Sequence, residues 1–350
     1  MSAATSPKLE RPRPIEALNR LNDIVSRYCE SQVLITACQL GVFDQLHAGP
    51  ATAAQLAVRL NVNADACQRL LSGLAQLDLV QRDNEHFQNS PVGEFLTSSS
   101  SASLAGLAGW NIFYPMWGAL PDAIREFGPR WQQAHGTTAE QIFANLYKDP
   151  QSLRRFAALM SAYSLPQGQI LAETFDFSGC NCILDVAGGP GELIIQIGKR
   201  HPHIKGIVMD LPPVCEVADE HIAAAGLSDR FRSEFADLLA GPYPAGADVI
   251  ALSWVLHDWS DETCRKILRN CYDALPSGGA LLITESVLNE DLSGTPFAVL
   301  MSLHMLVVCE PGAKERSESQ YRTLLEETGF HQEALIRLAA PRDLIVATRV

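Results

Sequence analysis

The chain has 350 residues, room for two domains or one large one at roughly 100–200 residues each. Its 47% hydrophobic and 19% charged residues exclude global disorder. With 27 Lys+Arg against 40 Asp+Glu, the formal charge of −13 repels phosphate backbones and anionic membrane surfaces, so neither nucleic acid nor lipid is the expected partner.

Residues 1–14 are polar, with Lys8, Arg11 and Arg13 among three prolines, and read as a flexible tail rather than a signal peptide. From residue 15 to 102 the text is that of short amphipathic helices. Residues 31–40 end at Gly41, a helix stop; Thr52 caps a helix over 53–60; Asn63 opens 64–77, with Leu70, Leu71, Leu74 and Leu77 on one face. Residues 79–88 alternate across a polar turn like a β-hairpin. Three helices and a hairpin predict a winged helix. Between Glu30 and Leu96, three basic residues (Arg59, Arg69, Arg82) face seven acidic ones (Glu30, Asp44, Asp65, Asp78, Asp83, Glu85, Glu94). A DNA reader needs the opposite balance, so the module is expected to serve dimerisation, not DNA binding.

Residues 103–178 form a helical region unusually rich in aromatics, among them Trp110, Phe113, Trp117 and Phe156, which suit the wall of a pocket for a flat ring as well as ordinary core. Residues 104–120 are too short and too broken by Asn111 and Pro115 for a bilayer span. From 179 to 350 strands alternate with helices. Strands are expected at 182–186, 206–209, 231–235, 248–254, 280–285, 333–338 and 344–349, with helices at 192–200, 213–225, 261–275 and 317–328. That is an α/β fold, a Rossmann-like doubly wound sheet. Residues 339–343 are too few for a parallel crossover, so the last two strands must pair antiparallel. The nine cysteines are scattered without a CxxC pair, which points to reduced thiols in a cytoplasmic protein and to no metal site.

The first strand of this region runs into Asp185-Val-Ala-Gly-Gly-Pro-Gly191. A glycine turn there lets a ligand approach the backbone at the carboxyl edge of the sheet. None of the three registers of GxGxxG fits, which disfavours a dinucleotide. The loop instead resembles the D-x-G-x-G-x-G motif of class I S-adenosylmethionine methyltransferases, with Ala187 in place of the first glycine, a change the backbone tolerates at negative φ. Asp210 lies 19 residues after Gly191 at the end of the second strand, where a carboxylate accepts from both ribose hydroxyls. Asp237 follows the third strand, where members of that family hold the adenine amino group.

The most specific stretch is Trp254-Val-Leu-His-Asp-Trp-Ser-Asp261. With Ile283-Thr-Glu-Ser286 and Pro311-Gly-Ala-Lys-Glu-Arg-Ser317, it resembles the O-methyltransferases of small aromatic molecules: plant caffeate and flavonoid enzymes, animal acetylserotonin O-methyltransferase and bacterial natural-product tailoring enzymes. The resemblance runs from about residue 18 to 350. It implies a homodimer built through the N-terminal domain, S-adenosylmethionine as methyl donor without a metal, and a hydroxyindole, phenol or polyketide-like acceptor. It makes His257 the general base, bracketed by Glu285 and Glu315. Tyr147, Ser161, Tyr163, Asp185, Gly189, Asp210, Leu211, Ala236, Asp237, Leu238 and Trp254 fall at donor-binding positions. Trp110, Phe113, Trp117, Phe156, Met160, Asp258, Met301, His304 and Met305 fall at the acceptor pocket.

The chemistry agrees. A phenol with pKa near 10 is a poor nucleophile at neutral pH, and an imidazole near 6.5 is suited to take its proton. Two rivals remain: a relative with the same fold but hydroxylase, decarboxylase or pericyclase chemistry, and a cofactor-binding regulator using the winged helix. The first tends to lose the His/Glu set kept here; the second meets the charge count above.

Overall fold

The computed structural model describes residues 12–100 and 103–350, so most of the expected tail lies outside the described residues. Two compact units divide the chain, the first ending at Ser103 and the second running Leu104–Val350.

In the first unit, α1 (Pro14–Leu40) is longer than the 31–40 segment expected from sequence. Pro at its first turn and Glu16, whose carboxylate accepts from the Arg13 amide at 3.0 Å, start it early. Its Ile15, Leu18, Leu21, Ile24, Val25 and Tyr28 recur at helical spacing and are all more than half exposed, an apolar stripe that the unit itself does not cover. After α2 (Val42–His47) and the short β1 (Ala51–Thr52), Thr52 caps α3 (Ala53–Leu60) through the Gln55 amide, and Asn63 caps α4 (Ala64–Gln76) through that of Ala66. Leu56, Leu71 and Leu74 are fully buried between them, each contributing about 1.5–3 kcal/mol. β2 (Val80–Asp83) and β3 (His86–Asn89) make the expected hairpin, turned by Asn84 at φ 53°, and β1 adds the third strand of a winged-helix arrangement.

The second unit opens with a 3-10 segment (Ala105–Phe113) and the helices α5 (Tyr114–Gly118), α6 (Leu120–Glu126), α7 (Trp131–His135), α8 (Ala139–Lys148) and α9 (Pro150–Thr174). Then follow β4 (Cys182–Val186), α10 (Glu192–Arg200), β5 (Lys205–Asp210), α11 (Pro212–Ala224), β6 (Phe231–Phe235), β7 (Val249–Ser253), α12 (Asp261–Ala274) and β8 (Ala280–Glu285). The chain closes with α13 (Pro296–Val308), α14 (Glu318–Glu327), β9 (Phe330–Ile336) and β10 (Asp343–Arg349). The sheet order is β6-β5-β4-β7-β8-β10-β9, with β4 to β8 parallel. β10 lies antiparallel to both β8 and β9, as the short 339–343 connection requires. Leu184, Ile207, Ile250, Leu252, Leu281 and Ile283 fill one face of the sheet and Ile183, Val208, Val249, Ala251 and Leu282 the other. The chain order reverses between β4 and β7, the switch point at which open α/β sheets bind ligands.

Candidate active site at the carboxyl edge of the sheet

The loop from Val186 to Gly191 leaves β4 at that switch point. Gly188 has no room for a side chain, because a Cβ would sit 2.6 Å from the Asp185 carboxylate; Gly191, at φ 76°, starts α10. Asp210 stitches this loop to β5: its Oδ2 accepts from the Gly189 amide at 2.9 Å and its Oδ1 from the Leu211 amide at 2.7 Å. Burial raises the Asp210 pKa, and those two bonds oppose the rise. Asp185 is pushed up to about 8 by burial and then by Asp210 beside it. One expectation is corrected. Ala187 sits at φ 53°, in the left-handed region and not at negative φ, a conformation that costs a non-glycine residue about 1–2 kcal/mol. The tight turn dictated by Gly188 and Gly189 around Asp185 sets that angle.

The tip of β7 runs into a 3-10 turn (Leu256–Asp258) that carries His257. The ring is buried, and its Nδ1 lies 2.7 Å from Glu315 Oε1 and 3.8 Å from Glu285 Oε2. Glu285 Oε1 meanwhile accepts from the amides of Val255 (3.1 Å) and Leu256 (2.9 Å), which fixes the turn under the ring. Nε2 points the other way, 3.4 Å from Asp258 Oδ1. Burial works against the imidazolium, but Glu285, Glu315 and Asp258 outweigh it and raise the His257 pKa to about 10. Glu285 is itself raised by burial to about 7. The ligating atoms of His257, Glu285 and Glu315 lie within 4.8 Å of one another, a spacing that could hold an ion. Nδ1 faces both carboxylates, an arrangement that favours the proton on that nitrogen.

Beside the His257 ring the unit gathers aromatic side chains. The His304 ring packs against Trp110 (centroids 4.8 Å) and Phe113 (4.6 Å) and stacks on Trp117 (6.2 Å), whose Nε1 donates to His304 Nδ1 at 3.2 Å. Burial, then the charge of His257, lowers the His304 pKa to about 3, so this second histidine stays neutral. Met301 and Met305 cluster with Trp110, Trp254 and Phe297, and Trp254 stacks on His257 at 5.5 Å. Tyr163 lies 4.7 Å from Trp254 and accepts from Trp110 Nε1 at 2.7 Å. Met160 borders the same apolar cluster as Trp110.

Other expected residues stand further along the edge. Phe156 pairs with Phe143, and Tyr147 packs with Leu211 beside Asp210. Ala236 and Leu238 pack on the sheet core, while Asp237 Oδ1 accepts from the amides of Leu239 and Ala240, the work of a turn cap. Sequence reasoning missed Arg342, which donates to Ser253 Oγ, together with Phe297 and Cys309, whose Sγ lies 3.3 Å from Asp258 Oδ1. None carries a local signal, because each reaches the site only through the tertiary fold.

A nucleoside-bearing cation fits this edge. Asp185 Oδ2, Ser161 Oγ and Trp254 Nε1 are buried without a hydrogen-bond partner, a cost of about 1–3 kcal/mol each that a polar ligand removes. At Gly189 the space ahead of the backbone is open for 4 Å.

A glycine loop at the switch point of a doubly wound sheet, a buried carboxylate bound to that loop and a carboxylate-flanked histidine beside aromatic side chains form a ligand site at the carboxyl edge. Residues 117–331 match the O-methyltransferase domain family and residues 22–99 the O-methyltransferase dimerisation domain. The chain belongs to the O-methyltransferase family. It is 33% identical over 324 residues to 3-hydroxy-5-methyl-1-naphthoate 3-O-methyltransferase of Streptomyces sahachiroi, covering 92% of each chain. It is 34% identical to 3-amino-4-hydroxybenzoate 4-O-methyltransferase of Streptomyces cremeus, over 97% of this chain and 92% of the other. The crystal structure of human N-acetylserotonin methyltransferase in complex with SAM superposes with a TM-score of 0.88 at 30% identity, covering 99% of both chains.

Proposed function

We propose that the protein transfers a methyl group from S-adenosylmethionine to a hydroxyl of a small aromatic acceptor, with His257 as general base. When bound, the donor supplies an electrophilic methyl on a sulfonium sulfur. The observation that carries the reading is the setting of His257: Nδ1 is tied to Glu315, Nε2 is turned away from it towards Asp258 Oδ1 at 3.4 Å, and Trp254 of the aromatic cluster stacks on the ring.

Asp210, Gly189 and Leu211 would seat the ribose, with Tyr147 packed beside them and Asp237, Ala236 and Leu238 further along the edge. Asp185, Ser161, Tyr163 and Trp254 line the path towards His257. Trp110, Phe113, Trp117, Met160, Met301, His304 and Met305 hold the acceptor flat, with Phe156 at the far end, and Asp258 presents an acceptor oxygen beside Nε2. His257 Nε2 takes the hydroxyl proton as the oxygen becomes nucleophilic, and Glu315 stabilises the imidazolium that results. Three carboxylates around the ring favour its protonated form; a cation bound alongside opposes them and lowers the pKa towards neutrality. Positioning supplies the rest of the rate.

The exposed stripe on α1 supports a homodimer formed through the N-terminal domain. Among the described residues no helix is long and apolar enough to cross a membrane. The nine free cysteines support a reducing, cytoplasmic setting.

The test is incubation with methyl-labelled S-adenosylmethionine and a panel of hydroxyindoles, catechols and polyketide phenols beside matched anilines. Label is expected in a methoxy product of at least one phenol. Label only on nitrogen, or acceptor turnover by hydroxylation or decarboxylation without label, overturns the reading.

A further inference from the structure

Arg342 lies in the turn between β9 and β10, far in sequence from every motif, and its side chain is fully enclosed, at 2% exposure. A buried guanidinium is expensive unless its donors are satisfied. Here Nη1 donates to Ser253 Oγ at 2.8 Å and Nη2 to the Tyr163 carbonyl at 2.6 Å, while the cation lies 4.7 Å from the centre of the Trp254 ring. Thr284 Oγ1 in turn donates to Ser253 Oγ at 2.7 Å. These partners are neutral; among the described residues Arg342 forms no ion pair. Glu285, Asp185 and Glu315 and the Tyr163 phenol feel its charge through space. A structural arginine ordinarily closes on a carboxylate in a bidentate fork. This one instead joins the end of β7 to the middle of α9.

What it grips is itself unusual. Trp254 sits at φ 55°, an outlier for a bulky side chain that persists only where the surroundings over-determine it. The indole is sandwiched: Arg342 lies over it, Phe297 stacks at 6.0 Å and His257 stacks at 5.5 Å. Its Nε1 is buried and unpaired. The amide of the same residue donates to the Thr284 carbonyl at 3.1 Å, so the strained backbone is pinned on one side and the ring on the other.

We propose that Arg342 is a positioning residue for methyl transfer: it clamps Trp254 and the Tyr163 main chain, and thereby sets the seat of the methyl donor against His257. The inference rests on the functional reading above and adds a residue that touches neither acceptor nor reacting atoms. Its effect therefore falls on the donor side, through Trp254.

The experiment is calorimetric binding of S-adenosylhomocysteine to the parent, R342K, W254F and the double variant, with donor and acceptor KM measured alongside. Lysine keeps the charge but loses the planar fork that meets two acceptors and an indole face together. R342K and W254F are each expected to weaken binding about 10-fold, and the double variant no more than the stronger single, because both remove one arrangement. Donor KM should rise with binding while acceptor KM stays at the parental value, a split that mere loss of folded protein does not produce. Full additivity, or R342K binding like the parent, overturns the proposal. If R342K does not fold, S253A removes one acceptor and leaves the arginine in place; about a 3-fold loss supports the clamp, and unchanged affinity contradicts it. A parent that fails to bind S-adenosylhomocysteine overturns this proposal and the functional reading together. A parent that binds it, with R342K its equal, overturns only the role of Arg342.

Discussion

Replacing His257 by Gln is expected to lower turnover by on the order of 10²–10⁴ while leaving S-adenosylhomocysteine affinity within about twofold. The two effects separate because different elements supply them. The donor is assigned to the glycine loop after β4 and to Asp210 on β5, whereas His257 is held from below by Glu285 and Glu315. The substituted glutamine side chain can fill the volume and keep a hydrogen bond to Glu315, but it cannot take a proton at the Nε2 position. More acidic phenols, which ionise unaided, should suffer least. Calorimetry with steady-state kinetics on one accepted phenol checks both halves; parental kcat in the variant would make His257 a packing residue.

Asp210→Ala is expected to weaken S-adenosylhomocysteine binding by on the order of 10²-fold or more. Hydrogen bonds to a charged group contribute about 1.5–3 kcal/mol each, and two hydroxyl donors are lost together. The Gly189 and Leu211 amides also lose their acceptor, so the loop itself loosens. Asp210→Asn separates these contributions, because it keeps an acceptor oxygen and removes the charge. Calorimetry that returned parental affinity for Asp210→Ala would move the donor away from this edge altogether.

Much of this was legible in the sequence for a physical reason: parallel β/α alternation writes each unit in consecutive residues. The strand positions, the antiparallel tail and the placing of Asp185, Asp210 and His257 at one edge follow from runs a few residues long. The continuity of α1 from Pro14 to Leu40 as one helix was not legible, because its apolar stripe alternates with Asn, Arg and Asp that dilute the pattern. The left-handed angle at Ala187 was missed because alanine gives no sign of it; the constraint comes from the Asp185 side chain packed against Gly188. Arg342 escaped because its partners, Tyr163 and Ser253, lie 179 and 89 residues away. The pairing of Trp117 with His304 across 187 residues is of the same kind. The carboxylates around His257 became an ordered set only once β8 and the segment before α14 were brought beneath the 3-10 turn.

The pH dependence of turnover, measured with saturating donor on one phenol for the parent and His257→Gln, tests the base assignment most directly. Deprotonated His257 is the active form, so the parental kcat should rise with unit slope at low pH. It should level off at the imidazole pKa of the loaded enzyme, below the value of about 10 set by the carboxylates alone. The variant should lack that limb and climb instead towards the phenol's own pKa near 10. The same profile in both proteins would contradict the account, leaving the acceptor to lose its proton to water.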